Sequence, residues 1–437
     1  MSRPKLQNDC FVSDRPRLKH DEALAILASR VAPMAAVETV PLAAVCGRIL
    51  AVPVIAQHPV PAHTNSAVDG YAISHADYVA NPGRALPVAG RAAAGHPFRG
   101  ALIPGSAVRI FTGAVMPVGL DTAVMQEDVV QPEGRSASVE PAEVIIPVGL
   151  RKGANVRLAG EDVAQGTMLL PEGAVLRPQD LAALASVGFA EVQVFERLRV
   201  AIVSSGDEVI RAGSRPLALG EVYDANVPML TALVALAGAD VVDLGVWPDS
   251  RPEVEARLAD AARDFDVILT TGGASKGAED HMGAALEALG RRHLWQLAIK
   301  PGRPMMFGQI GQGARETVII GLPGNPVAVF VCFLMYVFPL LRRLAGAPWS
   351  EPRRFILPAA FDFKGRKPGR REFWRGMIET GPDGRMTAQK FKRDGSGLIS
   401  SLRAADVLID IPEDTADVHR GDPVALIPFS EFGILAR

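Results

Sequence analysis

The chain has 437 residues, which suggests about three domains at roughly 150 residues each. Its 48% apolar and 22% charged composition is that of an ordinary globular protein, and a net charge of −2 excludes both a polybasic nucleic-acid binder and an acidic solvating chain. Three cysteines without a CxxC pair argue against a disulfide framework, and eight histidines show no metal-site spacing. Met1 to His20 is polar with no apolar h-region, so no secretory signal is expected and the cytoplasm is the expected compartment. The longest apolar run, Val327 to Leu341, is short for a membrane span and contains Pro339, so it is expected as a buried helix.

In chain order, residues 54–140 read as a small, mostly β unit. Short strands (Val108 to Phe111, Ala123 to Gln126) are separated by Pro, Gly and Asn. Residues 141–178 are Gly/Pro-rich with short strands, and Gln179 to Ser186 is helical. Strand and helix patterns then alternate. Arg199 to Ser204 is a strand, and Pro228 to Ala237 is a helix with Asn226 as N-cap and Gly238 as its left-handed stop. Val241 to Val246 is a strand, and Ser250 to Glu253 reads as a capping box for a helix reaching Asp264. Asp266 to Thr271 and Val318 to Ile320 are strands, Glu279 to Ala288 is a helix closed by Gly290, and Pro326 opens the apolar helix. Near-continuous apolar strands between helices predict a parallel sheet covered on both faces. Residues 350–437 are again β-like, with Asp383-Gly384 turning a hairpin between Glu372–Thr380 and Arg385–Phe391. Breaks fall near 53, 141, 178 and 348.

Ligands of open α/β sheets sit beyond the carboxyl ends of the strands. Three such ends combine glycines with polar groups: Ser204 to Glu208, Thr270 to Gly277 and Gly321 to Pro326. Ile299 to Pro304 (Ile-Lys-Pro-Gly-Arg-Pro) adds Lys300 and Arg303, two cations on a Gly/Pro-fixed loop suited to an oxyanion. Asp207, Glu208, Glu279 and Asp280 offer carboxylates for Mg²⁺, or simply complement helix dipoles. The GK[ST] ending of a P-loop is absent, as is a GxGxxG after a strand. No Ser-His-Asp or Cys-His nucleophile stands out. Arg353 to Arg393 carries 12 Lys/Arg against 4 Asp/Glu, read as a solvated or substrate-attracting face rather than a nucleic-acid surface.

The chain resembles the molybdopterin molybdenumtransferase family and is similar to the C-terminal domain of gephyrin. The resemblance runs from about residue 15 to the end. It rests on Ser66 to Ala72 (Ser-Ala-Val-Asp-Gly-Tyr-Ala), Thr112-Gly113-Ala114 with Met116-Pro117, Gly160-Glu161-Asp162, and Ser205-Gly206-Asp207-Glu208. Tyr223 to Asn226, Thr271-Gly272-Gly273 with Ser275 and Gly277, Lys300 to Pro304, and Gly321 to Pro326 continue it. Val68, Lys276 and Arg303 depart from the family pattern, Arg303 by placing a planar fork where a point charge is usual.

The resemblance implies an elongated, multidomain α/β plus β protein: a doubly wound α/β molybdopterin-binding domain (15–30 and 179–347), a linker-like β domain (31–53 and 141–178), a β domain (54–140) and a C-terminal β-barrel-like domain (348–437). It implies molybdenum cofactor biosynthesis, with insertion of molybdenum from molybdate into adenylated molybdopterin, release of AMP and help from Mg²⁺. It implies a cytoplasmic homodimer whose cleft joins the α/β domain of one subunit to the β domain of the other. The molybdopterin adenylyltransferase and acceptor molybdoenzymes are its implied partners, with neither nucleic acid nor membrane. Catalytic residues carried over or placed by the motifs are Asp69, Thr112, Asp162, Glu208 and Asp280, with Asp207, Glu208 and Asp280 as metal ligands. Substrate contacts fall to Ser205, Gly206, Gly272, Gly273, Ser275, Lys300, Arg303, Pro323, Gly324, Asn325 and Pro326. Two rival readings are adenylation of molybdopterin by ATP, against which the extra β domains argue, and a non-enzymatic scaffold.

Overall fold

The computed structural model describes residues 17–130, 141–272, 281–312 and 315–435. The first helix, α1 (His20–Arg30), belongs to the α/β core despite its place ahead of the β lobe. The β lobe holds strands β1 (Gly70–Ile73), β2 (Ala85–Ala92), β3 (Ala107–Ile110), β4 (Thr122–Met125) and β5 (Glu143–Ile145), in the order β4-β1-β3-β2-β5. Alternate residues bury opposite faces: Tyr71, Ile73 and Val124 fill one cluster, and Ala72, Val108, Ile110 and Ala123 the other.

Helix α2 (Pro178–Ser186) precedes the α/β unit. That unit runs β6 (Arg199–Ser205), α3 (Asn226–Leu236), β7 (Asp240–Trp247), α4 (Arg251–Asp264), β8 (Val267–Thr271), α5 (His281–Leu289), β9 (Arg291–Gln296), the short β10 (Ile299–Lys300), β11 (Pro304–Gln312) and β12 (Arg315–Leu322). The sheet order is β7-β6-β8-β12-β11-β9. Ile202, Leu269 and Ile320 pack on the face covered by α1 and α3; Ala201, Ile268 and Ile319 pack on the face covered by α4 and α5. The unit is therefore doubly wound.

The sheet is mixed rather than all parallel. β7, β6, β8 and β12 are parallel, while β11 runs antiparallel to both its neighbours, β12 and the edge strand β9. β9 escapes a hydrophobic reading because it is an edge strand, Arg-Arg-His-Leu-Trp-Gln, with only Trp295 buried. Two capping expectations also fail. Ser250 makes no side-chain cap bond at α4. Asn226 lies inside α3, and the Asp224 carboxylate accepts the Asn226 and Val227 N–H groups in its place (3.0 and 3.1 Å).

After β12 comes a helix spanning Pro326–Leu344, which α6 denotes here; it includes a π-turn over Phe333–Val337. With 19 residues it is long and apolar enough to cross a membrane, so length does not decide its place. Its burial does, since 83% of it is inside the protein, where Phe333, Tyr336 and Leu340 are fully covered. The C-terminal lobe contains β13 (Phe355–Pro358), β14 (Arg371–Thr380), β15 (Met386–Lys390), β16 (Val407–Ile411) and β17 (Pro423–Pro428). Gly384 turns the β14–β15 hairpin at φ +77°, as Asp383-Gly384 predicts. The sheet order is β10-β14-β16-β17-β13, so β10, from the α/β unit, is its edge strand.

Candidate active site

Register brings the loops together. Thr271 at the end of β8 pairs with Ser204 of β6 and Leu322 of β12. Because β11 is antiparallel, its beginning lies at the same rim, with Met306 opposite Gly321. The Lys300 to Pro304 loop therefore stands beside the carboxyl ends of the parallel strands. Pairing of Lys300 with Glu372 then fastens this loop to β14.

Two cavities share Gly272, Gly324 and Asn325. The first, about 550 Å³, has Lys300, Arg303, Pro323, Trp374, Arg375 and Ser396 in its wall. Lys300 Nζ lies 3.5 Å from Glu372 Oε2, and that carboxylate is buried, accepts the Trp374 indole N–H at 2.8 Å and faces Arg366 at 3.8 Å. Arg375 is also buried, and donates to Ser401 Oγ (3.1 Å) and to the Gly395 carbonyl (3.2 Å). Burial lowers its pKa and Asp394 opposes that, so the guanidinium remains a cation held by neutral partners. Arg303 is exposed at the rim.

The second cavity, about 480 Å³, is lined by Ser204, Ser205, Glu208, Asp224, Asn226, Thr271 and Pro326 among others. Its wall is over-determined. Asp224 is buried and takes the Ser204 hydroxyl, the Arg211 guanidinium (2.9 Å) and the two α3 amides. Asn226 Nδ2 donates to Thr271 Oγ1 (2.7 Å) and to the Gly324 carbonyl (2.8 Å), joining two strand ends to the start of α3 in one side chain. Glu208 folds back over Gly206, where a Cβ would sit 2.5 Å from Glu208 Oε2; glycine at φ +125° leaves room for that carboxylate.

Asp224 is saturated by its own partners. Asp207 and Glu208 are exposed carboxylates, and Glu208 borders the cavity. Among the described residues no three His, Cys, Asp or Glu side chains form a metal-holding group. The donor set fits a cation held by one or two carboxylates and shared with substrate oxygens, the usual habit of Mg²⁺. Asp280, with Gly273 and Ser275, lies outside the described residues.

The rim thus gathers Ser205, Glu208, Gly272, Lys300, Arg303, Pro323, Gly324, Asn325 and Pro326 on the two cavity walls, with Gly206 and Asp207 in the same loop as Glu208. Asp69, Thr112 and Asp162 line neither cavity. Asp69 Oδ1 accepts both the Thr112 N–H and the Thr112 hydroxyl at 2.8 Å, and these two bonds hold its carboxyl below the usual range. Asp162 is exposed, with its N–H bonded to the Val60 carbonyl at 3.0 Å. Sequence reasoning missed Trp374, Arg375, Asp394 and Ser396. The one signal for Trp374 and Arg375 was the basic stretch Arg353 to Arg393, just past which lie Asp394 and Ser396; nothing local reveals that β10 pairs with β14.

The rim thus belongs to a doubly wound α/β unit flanked by β lobes, with cations on one cavity wall and a carboxylate at the edge of the other. Residues 18–188 match the MoeA N-terminal region (domain I and II), 201–343 a probable molybdopterin binding domain, and 357–429 the MoeA C-terminal region (domain IV). The chain is 36% identical to the molybdopterin molybdenumtransferase of Haemophilus influenzae over 384 residues, covering 88% of this chain and 91% of that one. It is 35% identical to molybdopterin molybdenumtransferase 2 of Mycobacterium tuberculosis over 396 residues (88% and 93%). The solved molybdopterin biosynthesis MoeA protein from Pyrococcus horikosii superposes with a TM-score of 0.77 at 28% identity, covering 94% of this chain and 99% of that one. The chain belongs to the molybdopterin molybdenumtransferase (MoeA) family, enzymes of molybdenum cofactor biosynthesis.

Proposed function

We propose that this enzyme transfers molybdenum from molybdate to adenylated molybdopterin, releasing AMP. The observation that carries the reading is the pair of joined cavities, one cation-walled and one bordered by a carboxylate. Lys300, Arg303 and Arg375 suit the oxyanion: at 4 Å each unit charge pair contributes roughly 4 kcal/mol at an effective dielectric of 20, and several cations offset the desolvation of a dianion where one does not. The strand-end loops, with Ser205, Gly272 and Asn325, receive the phosphate-linked pterin. Glu208, with Asp207 and Asp280, would hold Mg²⁺, which when bound supplies charge neutralisation at phosphate oxygens. Trp374 and Glu372 keep Lys300 oriented, and Asn226 keeps the Gly324 loop in register with Thr271.

Asp69 and Thr112 complete the site from the β lobe of a second subunit in a homodimer. Their exposure, and their absence from both cavities of their own chain, support that reading. Asp69 orients the attacking oxygen, with Thr112 fixing the carboxylate, and Asp162 lies in the adjoining linker-like β domain. The domain division at 53, 141, 178 and 348, cytoplasmic residence, supply of substrate by an adenylyltransferase and delivery to acceptor molybdoenzymes belong to the same proposal. The test is AMP release from adenylated molybdopterin plus molybdate in Asp69→Asn and Glu208→Gln proteins. Loss of turnover in each is expected, and unchanged turnover in both overturns the assigned roles.

A further inference from the structure

We propose that Arg109 is a positioning residue for the β-lobe carboxylate: its guanidinium clamps the main chain of Asp69–Gly70 to Gln126 and so fixes where Asp69 meets a negatively charged substrate. The inference rests on the reading of Asp69 as a member of the active site. Arg109 lies on β3 directly opposite Tyr71 of β1, and only 9% of it is exposed. Its Nη1 donates to the Gly70 carbonyl at 3.0 Å, and its Nη2 to Gln126 Oε1. Gln126 N–H in turn donates to the Asp69 carbonyl at 3.0 Å, and Gln126 Nε2 to Glu127 Oε1 at 3.0 Å. One side chain therefore closes a ring through the residue after Asp69, through Gln126 and back to Asp69 itself.

The clamp is rigid. Arg109 Cζ lies 5.0 Å from the Tyr71 ring centroid and 4.7 Å from that of Phe111, so two aromatic faces fix the guanidinium plane. Among the described residues it makes no ion pair, so its charge is not neutralised by contact with a carboxylate. Two carboxylates still feel its field, Asp69 and Glu127. The groups facing Asp69 are Thr112 from the loop after β3, Arg109 on β3, and Glu127 in the turn after β4. Arg91 on β2 is Arg109's register partner and lies over Phe111 as well. Glu127 repels the Asp69 charge, and an incoming phosphate or oxyanion would repel it further. The two Thr112 hydrogen bonds hold the Asp69 carboxyl down most strongly, and the charge of the buried Arg109 adds to them.

The experiment measures the Asp69 carboxyl pKa by carbon NMR and the pH profile of kcat in wild type, Arg109→Lys and Arg109→Met, each checked for fold by circular dichroism. Arg109→Met is expected to raise the Asp69 pKa, and with it the acid limb of kcat. Arg109→Lys keeps the charge but not the fork, so it is expected to restore the pKa and leave kcat reduced. If Arg109→Met does not fold, Gln126→Ala opens the same ring without emptying a buried site, and is expected to lower kcat with KM little changed. An Asp69 pKa and pH profile unmoved in folded Arg109→Met, or a kcat unmoved in Gln126→Ala, overturns the inference. A moved Asp69 pKa with unchanged turnover sustains the coupling and rejects instead the active-site role of Asp69.

Discussion

Lys300 and Glu372 meet across two lobes: they are register partners in β10 and β14, and their side chains stand 3.5 Å apart. The pair is asymmetric, since the lysine side chain is 48% exposed and the glutamate side chain 4%. Lys300 can therefore serve a ligand, while Glu372 serves the fold. Lys300→Met is expected to raise the molybdate KM about tenfold, near 1.4 kcal/mol, with little change in unfolding free energy. Glu372→Gln keeps an acceptor for Trp374 but strips the buried charge facing Arg366, and is expected to cost about 2–3 kcal/mol in urea unfolding. The two variants separate binding from folding, and a shared phenotype would contradict this division.

Gly302 sits at φ +101° with Cys332 Sγ of α6 pressed beneath it, where a Cβ would collide. Gly302→Ala is expected to destabilise by about 2–4 kcal/mol and to raise the substrate KM, because the Lys300 and Arg303 loop must lift. Adding Cys332→Ala removes the collision but not the dihedral cost. The double variant is expected to recover about half the loss in chemical denaturation, and additive losses would contradict the packing explanation.

Asn226 is the common tether of the rim. Asn226→Asp keeps the shape but replaces the donor to Thr271 and Gly324 with an anion facing the Gly324 carbonyl. Turnover is expected to fall at least tenfold as the Gly324 loop loses register. Circular dichroism should show α3 intact, because Asp224 still caps it.

His20 gives a pH signature of the core. It is fully buried, its Nδ1 bonds Tyr336 Oη at 2.8 Å, and burial first, then the Arg371 charge, lowers its pKa to about 4. The unfolded histidine titrates near 6.5. Between about 6.5 and 4 the unfolded chain binds a proton that the native chain refuses, so stability falls as pH falls through this window. The difference amounts to about 3 kcal/mol by pH 4. Urea unfolding at pH 7 and pH 4.5 checks it, and His20→Gln is expected to remove most of this slope while lowering stability at pH 7.

Much of the architecture was legible because βα periodicity and glycine stops are local signals. Ser204, Thr271 and Gly321 fell at strand ends as read. The parallel-only sheet was not, because β11 returns beside β12 against the direction of the others, and its far neighbour β9 is a half-exposed, arginine-rich edge strand. The capping reading at Asn226 failed for a related reason: Asp224, two residues earlier, is buried by Ser204 and Arg211, which are distant in sequence, and takes over the cap. Trp374 and Arg375 were illegible as cavity residues because β10 joins a two-residue strand to a lobe about 70 residues away, and only tertiary pairing reveals it.

The central claim is that the α/β rim of one subunit works with Asp69 of another. Mixing Asp69→Asn and Glu208→Gln proteins, each inactive alone, under conditions that allow subunit exchange tests it most directly. A random mixture places both intact halves in one of the two sites of each heterodimer, so activity is expected to return to about a quarter of wild type. Activity that stays at the level of the separate variants after demonstrated exchange would contradict a site shared between subunits.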